Sequence, residues 1–212
     1  MVTDRRAIYK ILSLALQWPD EHFVPVVRQA LRAASEASEM LSALEAALIE
    51  LAHIPLEQIQ AEYTKLFINN FPKTLCPPYE SFYCAPIDGD ALLGAISEEV
   101  VAFYRRWGLS SGRELPDHIA VELEFIYGLL SALEAATDEE ERSEVQAAVE
   151  AFWSEHLGRW AEPFARDLAA HASLAFYRRL SEVLAEFVQT ERMLWENPGA
   201  LNPHCMTMAI TS

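Results

Sequence analysis

Apolar positions recur at three- and four-residue intervals almost from end to end of the chain, the spacing of amphipathic helices. Ile8, Leu12 and Ala15 predict a first helix opened by Thr3. Phe23, Val27, Ala30 and Leu31 predict a second, starting at Asp20 with Pro25 tolerated near its first turn. Met40, Leu44, Ala47, Leu48 and Leu51 give a third stripe, and Pro55 opens a fourth helix that turns Ile59, Tyr63, Leu66 and Phe67 inward. Further on, Leu92, Ile96, Val100 and Phe103 repeat behind a cap at Asp88 or Asp90, with Gly108 placed as the stop. Pro116 opens a helix striped by Ile119, Leu123, Ile126, Leu130 and Leu133. Thr137 with Glu140 reads as a capping box ahead of Val145, Ala148, Val149, Phe152 and Trp153, and Gly158 as that helix's end. Residues 160–172 and 174–196 supply two more helices, the last burying Phe176, Leu180, Leu184, Phe187 and Val188. No alternating strand pattern competes. The expectation is an all-α protein, one globular helical domain of about nine or ten helices over residues 1–196, with a hinge at 110–113 and an irregular tail at 197–212.

The pattern fails in one place. Between Asn69 and Ile87 the helical spacing breaks at Phe71-Pro72 and again at Pro77-Pro78, yet Phe71, Leu75, Tyr79, Phe82 and Tyr83 are too apolar to leave in water. Connections between helices in a compact domain are normally short, so a long aromatic, proline-rich one is expected to be ordered and either functional or a plug for the core. The two prolines favour an extended form for the Tyr79-Glu80-Ser81 island that follows them.

Charge narrows the partners. With 32 acidic against 16 basic residues the formal charge is -16, which repels phosphate backbones and anionic lipid and attracts a basic peptide. No run approaches the length of a spanning helix. Asp4-Arg5-Arg6 ahead of a short apolar run looks superficially like a twin-arginine export signal, but the helical spacing of Ile8, Leu12 and Ala15 suits an ordinary first helix better. Three scattered cysteines, Cys76, Cys84 and Cys205, make no disulfide framework, so reduced thiols and a cytoplasmic location are expected. No Cys or His spacing suggests a metal, and phosphate-loop, dinucleotide, nucleophile-elbow and zinc-protease signatures are all absent from the sequence. Neither an enzyme nor a cofactor is therefore expected.

The strongest polar cluster is Asp117, His118, Glu122 and Glu124 at the start of the helix opened by Pro116. His118 and Glu122 stand four apart and can pair on one face, with Phe125 beside them, while Asp117 sits where the helix dipole favours an anion. This is either a well-capped helix with a solvated pair or, together with Glu80, a set of carboxylates beside exposed aromatics that suits an arginine-bearing peptide.

Glu62-Tyr63-x-x-Leu66-Phe67, then Pro77-Pro78-Tyr79-Glu80-Ser81, then Pro116-Asp117-His118 leading to Glu122-Leu123-Glu124-Phe125, resembles the TorD/DmsD/NarJ-type chaperones of molybdoenzymes. The run from Phe152 through His156-Leu157 and Trp160 to Phe176-Tyr177 is similar to that family too, so the resemblance spans most of the chain. It implies a cytoplasmic maturation chaperone that binds the twin-arginine signal peptide, the apo enzyme body, or both, until the molybdenum cofactor is installed. Carried to this chain, it implies a peptide surface of Tyr79, Glu80, Ser81, Asp117, His118, Glu122 and Phe125. Glu62, Tyr63, Leu66, Phe67, Pro77, Pro78, Pro116 and Glu124 would support it. Monomers and domain-swapped dimers both fit the family. Two other classes compete: a helical adaptor docking a folded protein through the aromatic loop, and a helical hydrolase or nucleotide-binding enzyme using Asp117, His118, Glu122 and Glu80.

Overall fold

A computed structural model describes residues 5–34, 39–70, 73–84, 90–109 and 115–196. Its helices are α1 (Arg5–Ala15), α2 (Phe23–Ala33), α3 (Glu39–Leu51), α4 (Leu56–Tyr63), α5 (Glu80–Cys84), α6 (Asp90–Arg106), α7 (Ile119–Ala135), α8 (Glu139–Phe152), α9 (Gly158–His171) and α10 (Ala175–Glu196). Wider π-helical turns extend α4 over Thr64–Ile68 and join α8 to α9 over Trp153–Leu157. No strand occurs among the described residues, so the all-α expectation holds. The expected hinge, the tail with Cys205 and the capping residues Thr3 and Asp88 lie outside the described residues.

One continuous apolar core unites these helices. α1 packs against α7 and α2, α10 against α9 and α3, and α7 against α8. The predicted stripes are the buried ones: Ile8, Leu12 and Ala15 on α1, Leu44, Leu48 and Leu51 on α3, Ile119, Leu123, Ile126 and Leu130 on α7, and Phe176, Leu180, Leu184, Phe187 and Val188 on α10. Tyr9 and Phe187 meet edge to face at 4.8 Å. Arg5 and Arg6, the pair that mimics an export motif, are used inside the fold. Arg5 donates to both oxygens of buried Glu191 at 2.6 and 2.7 Å, Tyr9 Oη adds a third bond at 2.8 Å, and Arg6 pairs with Glu134. Helices from the two ends of the described chain are thus bound through one desolvated carboxylate.

Several boundaries differ from the sequence expectation, each for a local reason. α2 begins at Phe23 rather than Asp20, whose carboxylate instead accepts from the His22 amide at 2.8 Å. α7 begins at Ile119 rather than Pro116, because His118 N–H closes a turn on the Leu115 carbonyl and the His118 side chain caps the helix. The cap of α8 is Asp138, bonded to the Glu141 amide at 2.8 Å, while Glu141 reaches back to Thr137 N–H at 3.2 Å, so the box sits one residue later than Thr137 and Glu140. Gly158 ends nothing: it lies inside a continuous helical path, where a Cβ would stand 2.6 Å from the Trp153 carbonyl oxygen and 2.9 Å from its indole. Gly108 is the stop expected of it, with φ of 67° just beyond α6.

Candidate functional site

The aromatic segment after α4 is tied into the body by backbone first. Cys76 N–H donates to Leu66 O at 2.8 Å. Tyr79 and His118 then form an isolated antiparallel bridge, with Glu80 N–H on Asp117 O and Ile119 N–H on Pro78 O, both at 2.9 Å. Pro77 and Pro78 are buried beside this clamp. The expected extended island therefore lasts only to Tyr79, since Glu80 begins the short helix α5, which packs on α6 and α9.

Asp117 holds this junction. Its carboxylate accepts from the Ser81 amide at 3.2 Å, occupying the N-terminal end of α5, and from Ser97 Oγ of α6 at 3.4 Å. Tyr104 Oη of α6 donates to Pro116 O at 2.8 Å. Three elements thus meet at Pro116-Asp117.

His118 points inward. Its Nδ1 accepts from the Ala120 amide at 3.1 Å, and the Tyr79 ring meets its imidazole edge-on at 5.4 Å. Burial lowers its pKa to about 4, with Asp117 opposing the shift, so the ring is neutral, as an acceptor at Nδ1 requires. The His118 side chain makes no bond to that of Glu122, contrary to the expected pair; the two are joined only through backbone, Glu122 N–H donating to His118 O at 3.0 Å. Glu122 instead accepts from Trp160 Nε1 at 3.0 Å, while Glu80 bonds His156 Nδ1 at 2.9 Å. His156 and Trp160 stand four apart along one helical path, so the two carboxyl groups dock one turn from each other. Burial and the neighbouring Glu80 raise the Glu122 pKa well above the carboxylate range.

Exposure is where the structure departs most from the sequence expectation. Glu80 and Glu122 have 0% exposure, Asp117 2% and His118 3%, so these groups are not the solvated carboxylates that the helix start suggests. Phe125 is also in the core, its ring 4.6 Å from Phe152 and 4.7 Å from Tyr104. Of the expected peptide surface, Tyr79 and Ser81 remain half-buried. Glu62 caps α10 through the Ser173 and Leu174 amides. Tyr63, Leu66 and Phe67 are core, with Phe67 stacked on Phe164 at 6.1 Å. Pro116 is half-buried, and exposed Glu124 pairs with Lys10 at 2.9 Å, bridging α7 to α1.

The outward features here are Phe82, which the sequence predicts to be kept from water, and Leu115, which it does not single out. Phe82 of α5 is 53% exposed and Leu115, just before the turn into α7, is 57% exposed. Tyr83 anchors α5 from the other side: it stacks on Trp160 at 5.6 Å and donates to Asp167 at 3.0 Å. Cys76 is a buried thiol pushed up to about 12 by desolvation, and burial raises Cys84 as well, so neither is an activated nucleophile. Among the described residues no group of His, Cys, Asp and Glu has metal-holding geometry, and no helix is long and apolar enough to cross a membrane.

The nitrate reductase delta subunit family matches residues 31–166, which takes in the α5–α7 clamp and His156. The chain belongs to that family. Among its relatives, "Chaperone protein TorD" of Photobacterium profundum is 28% identical over 79% of this chain and 74% of its own. The "Selenate reductase assembly chaperone protein" of Thauera selenatis is 29% identical over 64% of this chain and 69% of its own. A solved structure from Archaeoglobus fulgidus, assigned as a redox enzyme maturation protein, superposes with a TM-score of 0.62 at 22% identity. It covers 89% of this chain and 96% of that one, a likeness of fold. The delta-subunit fold in this chain therefore places a buried acidic node beneath the partly exposed surface of α5.

Proposed function

We propose that this protein is a maturation chaperone for a molybdopterin-containing oxidoreductase and binds the arginine-bearing signal peptide of that enzyme on the surface formed by α5 and the entry to α7. The resemblance to assembly chaperones named for TorD and for selenate reductase supports the class of client. The observation that carries the surface is the layering at α5: exposed Phe82 and half-buried Tyr79 and Ser81 outside, with the carboxylates of Glu80 and Asp117 desolvated beneath them. Carboxylates in a low-dielectric layer are weakly screened, so their negative field reaches an arginine at the rim further than solvated ones would. Phe82 and Tyr79 offer aromatic faces to the guanidinium and to an apolar segment. The chaperone acts in the cytoplasm, before export, and contributes no catalytic step or cofactor of its own. A helical adaptor that docks only a folded partner remains the alternative, and it predicts binding that ignores the leader.

Co-purification separates the two. The apo catalytic subunit of a molybdopterin oxidoreductase is co-expressed with this chain, with and without its twin-arginine leader. Capture that falls at least about tenfold without the leader, equivalent to about 1.4 kcal/mol, is expected, and equal capture of both forms would support the adaptor.

A further inference from the structure

Glu80 and Glu122 each place one carboxylate oxygen on a donor, His156 Nδ1 and Trp160 Nε1 respectively. The other oxygen, Oε1 in both cases, is buried and has no hydrogen-bond partner among the described residues. Their two donors stand one helical turn apart, and the negative charge of Glu80 acts on Glu122. Two carboxylates cannot bond to each other, because each offers only lone pairs. A single proton between them removes both orphaned oxygens and one of two buried negative charges.

We infer that Glu80 and Glu122 share one proton through their Oε1 atoms, so that Glu122 is a carboxylic acid donating to the Glu80 carboxylate, and that this bond is a pH-controlled tie holding α5 to the helical body. His156 Nδ1–H donates to the remaining oxygen of Glu80, and the Trp160 indole to the carbonyl-like oxygen of Glu122. The other polar neighbours among the described residues are committed elsewhere. From α7 and its entry come Asp117, committed to the Ser81 amide and Ser97, and His118, an acceptor committed to Ala120. From α6 comes the Tyr104 phenol, committed to Pro116 O, and from α5 itself the Cys84 thiol. Arg159 of α9, the cation that acts on Cys84, donates to the Glu155 carbonyl.

The sign follows from the proton count. Folded Glu122 keeps its proton to a higher pH than an unfolded glutamate, whose pKa is about 4.3, so the folded state binds more protons over the interval between the two. The tie is complete below the unfolded value and is lost as pH rises through the folded one. Its loss would loosen α5 and with it the seating of Phe82 and Tyr83. The inference concerns the fold's own proton and does not depend on which client is bound.

Carbon NMR of protein labelled at the glutamate side-chain carboxyl tests it. At about pH 7, where a free glutamate is fully ionised, wild type is expected to show one carboxyl carbon at the neutral-acid position, absent from Glu122→Gln, whose amide still donates to Glu80. Denaturant unfolding across the range above about pH 6 should show stability falling with pH in wild type, more steeply than in Glu122→Gln. Wild type with every carboxyl carbon ionised overturns the inference, as does a neutral carboxyl that survives in Glu122→Gln or an identical slope in the two proteins. If Glu122→Gln does not fold, the wild-type spectrum decides alone.

Discussion

The carboxylate of Asp117 lies 3.2 Å from the Ser81 amide, thirty-six residues earlier in the chain, and so closes the N-terminal end of a helix it does not belong to. The same residue gives its carbonyl to Glu80 N–H and its second oxygen to Ser97. A carboxylate this buried and this committed joins α5, α6 and α7, and its removal should be felt as a loss of structure.

Asp117→Ala is accordingly expected to lower stability by about 2–3 kcal/mol, the scale for a hydrogen bond to a buried charged group together with the amide it leaves bare. The helix-dipole effect that an exposed Asp117 would supply is smaller, at up to about 1 kcal/mol. Asp117→Asn, which can still accept from Ser81, should recover part of the loss. Denaturant unfolding of the three proteins checks this, and a change in the Ala variant within about 0.5 kcal/mol of wild type would show that Asp117 is not structural.

His118 makes the protein acid-sensitive. Its pKa is about 4 in the fold against about 6.5 unfolded, so the unfolded state binds more protons between those values. Stability from this group is complete above the unfolded value and declines as pH falls toward about 4, by roughly 3 kcal/mol in total. His118→Asn can keep the cap to Ala120 without the titration. Unfolding measured from about pH 7 down to about pH 4 should show a flatter curve for the Asn variant, and parallel curves would contradict the assignment. Glu122 acts with the opposite sign at higher pH, so the two variants separate the contributions.

Gly158→Ala should destabilise although alanine is the better helix former. Propensity favours alanine by about 1 kcal/mol. The new Cβ would meet Trp153 backbone oxygen at 2.6 Å, and overpacking against backbone costs about 1–3 kcal/mol. A lower melting temperature is expected, whereas a higher one would mean that the π-helical turn relaxes freely.

Much of the fold could be read from periodicity, because α1, α3, α7 and α10 bury the stripes their spacing marks. The ends were harder. Asp20 and Thr137 have the chemistry of caps, but a cap is decided by where the next turn closes, and at α2 and α8 that point lies later in the chain. The site was legible as a set of residues and not as a geometry. Asp117, His118, Glu80 and Glu122 do come together, yet their burial depends on α5 folding over them, and five residues after two prolines give no helical signal long enough to read. His156 lies seventy-six residues from Glu80. No local spacing could link the two, and His156 and Trp160 entered the sequence reading only as part of a family-like run. Phe82 was visible as one of several aromatics, but its exposure is a property of the packed structure.

Calorimetric titration of synthetic leader peptides is the most direct test of the central claim, that α5 and the α7 entry receive an arginine-bearing signal peptide. Three peptides are compared: one with paired arginines and its apolar segment, one with both arginines changed to glutamine, and one with the apolar segment made polar. The first should bind, the second less well and the third hardly at all. The arginine contribution should shrink as the Debye length falls from about 10 Å at 0.1 M salt to about 3 Å at 1 M. Phe82→Ala, which removes an exposed ring, should weaken the first peptide while leaving the melting temperature unchanged. Equal binding of all three peptides, or none by any of them while a folded molybdoenzyme without its leader still binds, would contradict the account.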